Sequence, residues 1–326
     1  MKKYYEDVIK GFFIGAANII PGVSGGTFAL ILGIYERLIS AISSIDLNLL
    51  KLIKEFFIGK NKSVSFKKIA EITDLWFLCR IGGGAFISIV FLSRIIEYFL
   101  HYRHETVYAF FLGLIIPSLL IPYRMIGKIR TKEVVAFATA VIFLLVISIQ
   151  FGHLADEKEI MKAEAKELRS EEYFNPFLTA SSGALAISAM ILPGISGSFI
   201  LLLTNQYDDV LAAINSHDFI YLGFLTGGML IGLVAFTKLL KFLMTRFHSE
   251  TLSFLLGLMT ASIYPLWPFK KIMFAGGKTF YGSENILPEF DKTLAIAAIA
   301  FISGFVLVIV LEKFASKNSG EKDELV

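Results

Sequence analysis

A short motif, Pro-Gly-x-Ser-Gly, occurs twice in this chain, at residues 21–25 and 193–197. Each copy separates two apolar stretches, and the stretch before it is too short to cross a bilayer. Proline ends a helix because it lacks a backbone donor, and glycine permits backbone angles that other residues avoid. Since a bilayer tolerates irregular backbone only where protein or water satisfies it, the repeat predicts two broken helices around a polar site.

Composition fixes the class of protein. Of 326 residues, 55% are hydrophobic and 18% are charged, and the mean hydropathy is +0.67. These values predict an all-α, polytopic integral membrane protein and exclude an ordinary soluble domain. Ten apolar segments are visible, at 8–20, 25–43, 76–100, 106–123, 134–152, 177–192, 197–214, 219–244, 251–267 and 293–314.

The duplication extends beyond the motif. At a spacing of 172 residues Tyr35 aligns with Tyr207, and at a spacing of 144 residues Gly84 aligns with Gly228. Each half then has five apolar segments. If the motif forms a re-entrant hairpin, each half crosses three times; otherwise it crosses five times. Either odd number predicts an inverted-topology repeat of two five-segment halves with re-entrant broken helices.

Loop charges predict the orientation and the organisation of the chain. Residues 153–176 are acidic, which suits the outside, whereas the loops at 44–75 and 124–132 are rich in lysine and arginine, which suits the cytoplasm. We therefore expect a cytoplasmic-membrane protein with both termini in the cytoplasm. The predicted units are a first membrane repeat (1–152), an acidic extracytoplasmic linker (153–176), a second, inverted repeat (177–314) and a cytoplasmic tail (315–326).

The residue types of the two motifs predict an anion site. Hydroxyls and unpaired N–H groups at the start of a helix favour an anion. Taking an anion out of water costs several kcal/mol even after relaxation, whereas a helix terminus returns at most about 2 kcal/mol. A cationic side chain is therefore expected as well, with Arg80 as the first candidate. The predicted anion site comprises Pro21, Gly22, Ser24, Gly25, Gly26, Thr27, Pro193, Gly194, Ser196, Gly197, Ser198 and Arg80.

Five further charged residues are candidates for charge pairing or for coupling to an ion. Arg94, Arg37 and Lys238 are alternative cations, of which Arg37 and Lys238 could instead reach to the membrane interface. Glu36 and Asp208 follow the two motifs at equivalent positions and could relay H+ or bind Na+.

Other chemistry is absent from the sequence pattern. Cys79 is the single cysteine, so no disulfide framework exists. The sequence contains no metal-binding Cys/His cluster, no nucleotide-binding loop and no basic nucleic-acid tract. We expect no cofactor, no metal and no nucleic-acid partner.

The motif regions resemble a known family. NIIPGVSGGTFALILGIYERLI at 18–39, ILPGISGSFILLL at 191–203 and FFLGLIIPSLLIP at 110–122 are similar to bacterial and archaeal polyprenyl-phosphate transporters, long described as a domain of unknown function. The resemblance implies a flippase, not an enzyme, that returns undecaprenyl phosphate from the outer to the inner leaflet for cell-envelope synthesis. It implies that the two motifs form the headgroup site. One departure is visible, because Gly33-Ile34 becomes Asn205-Gln206 in the second copy.

Two other functions remain open at this point. A small-anion channel or exchanger could use the same helix starts. A polyprenyl diphosphate phosphatase has a similar element, although with an arginine where this chain has Gly25 and Gly197.

Overall fold

The computed structural model describes residues 2–19, 24–45, 49, 51, 62–164 and 174–323. This part of the chain is mostly helical and includes one two-stranded sheet. The elements, in chain order, are α1 (Lys2–Ile19), α2 (Gly25–Ile31), α3 (Tyr35–Ser43), α4 (Lys62–Ile72), α5 (Leu75–Tyr102), α6 (His104–Ser118), α7 (Leu120–Met125), α8 (Thr131–Glu164), α9 (Pro176–Ile191), α10 (Gly197–Leu203), α11 (Tyr207–Ser216), α12 (Phe219–Arg246), α13 (His248–Ala261), β1 (Lys270–Ala275), β2 (Lys278–Asn285) and α14 (Lys292–Asp323).

Five stretches of helix in the described residues are long and apolar enough to cross a membrane. A sixth candidate is the pair α2 and α3, which together are long and apolar enough to cross a membrane. The chain bends by 120° between these two helices. The helix before the second motif, α9, is apolar but has only 16 residues. The prediction of a polytopic helical membrane protein is confirmed. The five spans are Leu75–Leu100, His104–Met125, Thr131–Leu154, Phe219–Arg246 and Lys292–Lys313.

Two predicted segments, 25–43 and 197–214, are each divided into two helices. Gly33 has a φ of 64° and Asn205 a φ of 60°, the left-handed region that glycine and asparagine tolerate best. The next N–H in each copy reaches back five residues, from Ile34 to the Ala29 carbonyl and from Gln206 to the Leu201 carbonyl, at 2.9 and 2.8 Å. Both breaks are therefore Schellman-type helix ends. Asn205 therefore keeps the left-handed helix end that Gly33 has in the first copy, although the residue type differs.

The long helices pack in pairs. Helix α1 packs on α5, α9 on α12, α6 on α14, and α13 on α8. A Cβ added at Gly84 would lie 2.1 Å from the Val8 carbonyl oxygen, and one added at Gly228 would lie 1.8 Å from the Ala180 carbonyl oxygen. Neither approach leaves room for a side chain, so these glycines set the close contact in both pairs.

The first broken pair lies in the core of the bundle. Every residue of α2 is buried, and the largest buried cluster surrounds it with Tyr35, Leu114 and Leu255, each at most 2% exposed. In α10, by contrast, only Gly197 of the seven residues is buried. The two motifs therefore begin helices of equal length in different surroundings.

A β-hairpin between α13 and α14 departs from the all-helical prediction. Strands β1 and β2 are antiparallel, and Ala275 pairs with Lys278 across a two-residue turn. Gly276 and Gly277 both have positive φ, as the two central residues of a type I′ turn require. Asp156 of α8 ties the hairpin to the bundle, because its carboxylate accepts from the N–H and the hydroxyl of Ser283.

Candidate functional site

Ser24 of the first motif begins α2 and caps it. Its Oγ accepts from the Gly26 N–H at 3.0 Å, and the Gly25 N–H donates to Asn18 Oδ1 at 2.9 Å. The Thr27 N–H donates to the Ser24 carbonyl at 3.0 Å, and both Ser24 and Thr27 are 1% exposed. The protein itself therefore satisfies this helix start. Pro21 and Gly22, also predicted for the site, lie outside the described residues.

The first motif touches the helix that leads into the second motif. The Ser24 hydroxyl lies 2.9 Å from the carbonyl oxygens of both Met190 and Leu192, and the Tyr35 hydroxyl donates to the Ile191 carbonyl at 3.2 Å. A Cβ at Gly26 would lie 2.2 Å from the Ile191 oxygen. Because Ser24 has one hydroxyl proton, the two carbonyls share it. The carbonyls at the end of α9 thus gain partners from the opposite half of the chain.

The second motif is arranged differently. Gly194 has a φ of 85°, and a Cβ there would lie 2.7 Å from the Leu258 carbonyl oxygen, so glycine is required on both grounds. Pro193 and Gly197 are buried, but Ser196 makes no side-chain capping bond to α10.

The hydroxyls of Ser196 and Ser198 lie 2.7 Å apart and face a cavity of about 200 Å³. We call this space the motif cavity; its wall also includes Leu144, Gly194 and Leu202. The two hydroxyls bond each other, so an incoming oxygen anion can receive a bond from this pair without displacing a structural contact.

A second cavity, of about 230 Å³, lies beneath the hairpin. Its lining includes Lys270, His104, Asp156, Tyr264 and Tyr281, and we call it the hairpin cavity. The two cavities have four wall residues in common, Tyr108, Ser148, Phe199 and Pro265. They are therefore adjacent chambers around the same side chains.

Lys270 is a cation that is not among the site residues predicted from the sequence. It is 8% exposed, and its Nζ donates to Asn285 Oδ1 at 2.5 Å, with the Tyr264 and Ser283 carbonyls at 3.5 and 3.4 Å. Burial lowers the pKa of Lys270 to about 8, and the negative charge of Asp156 opposes that shift. The turn Gly276-Gly277 between strand-like sequences could have predicted the hairpin. Which side chains it buries depends on packing against α8.

His104 is the second residue that the sequence reasoning left outside the site. Its ring is stacked between Tyr108 and Tyr281, with centroids 4.2 and 3.9 Å away, and the residue is 8% exposed. Its Nδ1 is buried without a hydrogen-bond partner. A buried polar atom without a partner calls for an explanation.

The structure brings Arg80 to an acidic residue of α1. Its Nε and Nη2 both lie 2.9 Å from Asp7 Oδ2, and Asp7 is 3% exposed. Arg37 lies 2.6 Å from Asp74 Oδ2, 3.8 Å from Asp7 and over the Phe77 ring. Neither arginine lines the motif cavity or the hairpin cavity. Because α1 packs on α5, residues more than seventy positions apart form this cluster.

The remaining charged candidates are dispersed. Arg94 and Lys238 are exposed on α5 and α12, and Asp208 is exposed in the first turn of α11. Glu36 Oε1 lies 3.4 Å from Nε2 of His248, beside a small cavity that Lys241 also lines. Among the described residues, no group of three His, Cys, Asp or Glu side chains could hold a metal ion.

These features define a polytopic membrane protein in which the first copy of the motif is buried against the helix that leads into the second copy, and the second copy presents two hydroxyls to a largely apolar cavity. The chain belongs to the VCA0040-like family of undecaprenyl phosphate translocase-like proteins, which residues 14–280 match.

Two relatives match nearly the whole chain. It is 34% identical to a polyprenyl-phosphate transporter of Vibrio cholerae serotype O1, over 96% of this chain and 98% of the relative. It is 28% identical to a polyprenyl-phosphate transporter of Staphylococcus aureus, over 96% and 97%. No solved structure matches. The family is one of transporters, so the phosphatase alternative no longer applies.

Proposed function

We propose that this chain is a flippase that moves polyprenyl phosphate, chiefly undecaprenyl phosphate, from the outer to the inner leaflet of the cytoplasmic membrane. The family and the two relatives support the substrate class. The observation that carries the mechanism is the difference between the motifs. The Ser24 hydroxyl already bonds carbonyls at the end of α9, whereas Ser196 and Ser198 face a cavity.

An inverted repeat is part of the proposal. The pairing of α1 with α5 has its counterpart in α9 with α12, and α6 with α14 has its counterpart in α13 with α8. Val8 and Gly84 meet in the first half, and Ala180 and Gly228, offset by the same spacings of 172 and 144 residues, meet in the second. Such symmetry would give a transporter two related conformations around one central site.

The headgroup site, in this proposal, uses the two motifs in different roles. Ser196 and Ser198 together donate a hydrogen bond to the phosphate, and Gly197 allows α10 to pack closely on α9, since a Cβ there would lie 2.5 Å from Met190 Cγ. Ser24, Gly26 and their neighbours brace the end of α9 that leads into the second motif. A phosphate oxygen bound by hydroxyls in a low-dielectric cavity gains charge-assisted hydrogen bonds, each about twice as strong as a neutral one.

The isoprenoid tail requires an apolar surface that is open to lipid. A groove of about 370 Å³ lies between α1, α5, α6 and α14, and nearly all of its lining is apolar. Phe28 of α2 forms part of it, beside the first motif. A small-anion channel would have no use for such a groove, whereas a lipid phosphate would bury its tail there.

The orientation follows the charges of the loops. We propose that both termini are cytoplasmic, that 153–176 is extracytoplasmic and that the repeats comprise 1–152 and 177–314, with the tail at 315–326 in the cytoplasm. The hairpin then lies on the outer face, and Glu36 with His248 on the inner face. Glu36 and Asp208 stay the candidates for coupling to H+ or Na+.

The test is lipid movement in reconstituted liposomes. A fluorescent polyprenyl phosphate is incorporated, and a membrane-impermeant quencher reports the fraction in the outer leaflet. The double variant Ser196→Ala/Ser198→Ala should slow the exchange about 10- to 100-fold, since the hydrogen bond that this pair donates to a charged group is lost. Ser181→Ala is the matched control, because that hydroxyl bonds only the carbonyls of its own helix.

Two results would contradict the proposal. If the wild-type protein leaves the leaflet distribution of the labelled lipid unchanged, lipid transport is excluded. If the liposomes conduct halide while the lipid stays in place, the chain is a small-anion channel or exchanger instead.

A further inference from the structure

The hairpin cavity contains a buried cation that the motif site does not use. The Lys270 ammonium is held by three neutral oxygens, and no carboxylate of the described residues lies within 4 Å of it. The Asp156 carboxylate influences Lys270 electrostatically but bonds to Ser283. Burying an ammonium group is costly unless an opposite charge accompanies it. A positive charge that lines a cavity without an ion-pair partner favours an anion there.

His104 supplies an independent observation in the same cavity. Its Nδ1 is buried without a partner, and the residue is more than nine-tenths buried. The stacking between Tyr108 and Tyr281 fixes the plane of the ring. A phosphate monoester satisfies this nitrogen in either protonation state. A protonated ring donates to a phosphate oxygen from Nδ1, and so does a neutral ring in the tautomer that carries its proton on Nδ1.

We propose that the hairpin cavity is a receptor for the phosphate group of the transported lipid, with Lys270 as its cationic contact and His104 as a second contact, from which the phosphate passes to Ser196 and Ser198. This inference rests on the proposed function. The shared walls of the two cavities, Tyr108 and Phe199 among them, make the transfer short. Lys270 therefore takes the role for which the sequence suggested Arg80.

The pH dependence of binding tests the role of Lys270. A phosphate monoester has its second pKa near 6, so its charge is nearly constant above about pH 7. The pKa of Lys270 is about 8, so the receptor should lose its positive charge, and its affinity, as the pH rises through that value. The titratable groups around Lys270 are Asp156, His104, Tyr108, Tyr264 and Tyr281, with Glu105 next to Tyr281.

The experiment measures binding of farnesyl phosphate to the full chain in nanodiscs, with farnesol and inorganic phosphate as comparison ligands. Lys270→Gln should weaken binding of farnesyl phosphate about 10- to 100-fold, the range for a hydrogen bond to a charged group. Lys270→Arg should stay within about threefold of wild type and should abolish the loss of affinity between about pH 7 and pH 9.5, because arginine stays charged. It leaves the surrounding titratable groups in place.

Two further variants complete the set. His104→Phe keeps an aromatic ring between the tyrosines and should weaken binding about fivefold, the value of one hydrogen bond. Lys271→Gln is the matched control on the same strand, because Lys271 is exposed and pairs with Glu284 at 2.7 Å. Its binding should equal that of wild type.

Several outcomes would overturn the inference. Equal affinity of wild type and Lys270→Gln for farnesyl phosphate would overturn it. If that variant does not fold, equal affinity of the wild-type protein at about pH 7 and pH 9.5 would overturn it. Inorganic phosphate binding as tightly as farnesyl phosphate would overturn the assignment to a lipid. If the wild-type protein moves lipid and Lys270→Gln moves it equally fast, the receptor fails while the flippase stands. If the wild-type protein moves no lipid, the proposed function itself fails.

Discussion

Ser24→Ala should separate the bracing role of the first motif from the binding role of the second. The Ser24 hydroxyl is 1% exposed, accepts one N–H and donates to two carbonyls at the end of α9. Alanine would leave the buried Gly26 N–H without an acceptor and the Met190 and Leu192 carbonyls without this donor. An unsatisfied buried group costs about 1–3 kcal/mol, and an N-cap serine replaced by alanine costs about 1 kcal/mol.

These two estimates describe the same N–H and are not added. We expect a loss of about 2 kcal/mol in stability. For domains of 150–250 residues a loss of 1 kcal/mol lowers the melting temperature by about 2–4 °C, so the expected shift is roughly 5 °C. The assay is thermal denaturation of the purified protein in detergent, followed by the fraction that remains monodisperse in size-exclusion chromatography.

Ser196→Ala is the matched variant at the equivalent position of the second motif. Its hydroxyl makes no capping bond and bonds only the Ser198 hydroxyl. The melting temperature should therefore change by less than about 1 °C, in keeping with a partly exposed substitution, while lipid movement in liposomes slows about tenfold. The two variants should thus have opposite profiles in the two assays.

The opposite pattern would refute this reasoning. If Ser24→Ala retained the melting temperature of wild type and abolished lipid movement, Ser24 would contact the phosphate and would not act as a brace. Equal loss of stability in both variants would show that the two motifs have equivalent surroundings, contrary to the bonds that Ser24 makes with α9.

Three other predictions follow from single positions. Gly228→Ala should lower the melting temperature, since its Cβ would meet a carbonyl oxygen at 1.8 Å and overpacking costs about 1–3 kcal/mol, whereas Gly227→Ala, with no atom within 4 Å, should not. Gly33→Ala should cost about 1 kcal/mol at its positive φ, and Asn205→Gly should be neutral or stabilising; equal effects of the two in thermal denaturation would contradict the helix-end geometry. Because the pKa of Lys270 falls from 10.5 to about 8 on folding, the unfolded chain binds more protons between these pH values, so its contribution to stability should rise with pH there, by at most about 3 kcal/mol. Lys270→Gln should remove that rise from the pH profile of the melting temperature.

The membrane class and the helix end at the second motif were within reach of the sequence. Apolar segments of spanning length, interrupted by proline and glycine, predict broken helices because backbone polar groups must be satisfied inside a bilayer. The helix ends at Gly33 and Asn205 were not predicted, because both residues lie inside apolar segments expected to be continuous, although these two residue types best tolerate positive φ. The membrane class and the helix end at the second motif are local properties of the chain, so they can be read from neighbouring residues.

The motif cavity was only partly within reach. Sequence pattern identified Ser24 and Ser196 as equivalent, and they are equivalent in local geometry, since both precede a seven-residue helix. Their surroundings differ because the first motif lies in the core and bonds to α9. A repeat in sequence carries no information about which copy the rest of the bundle will cover.

The sequence by itself determined the membrane class and the helix end at the second motif, and it predicted a cation beside a buried anion. Only the tertiary structure decided where cations lie: packing of α1 on α5 pairs Arg80 with Asp7, and the hairpin brings Lys270 next to the second motif. The physical reason is the distance along the chain over which each property is determined. Backbone conformation depends on adjacent residues, whereas the pairing of charges depends on which distant segments pack together, and the charge pattern of either segment alone does not specify that packing.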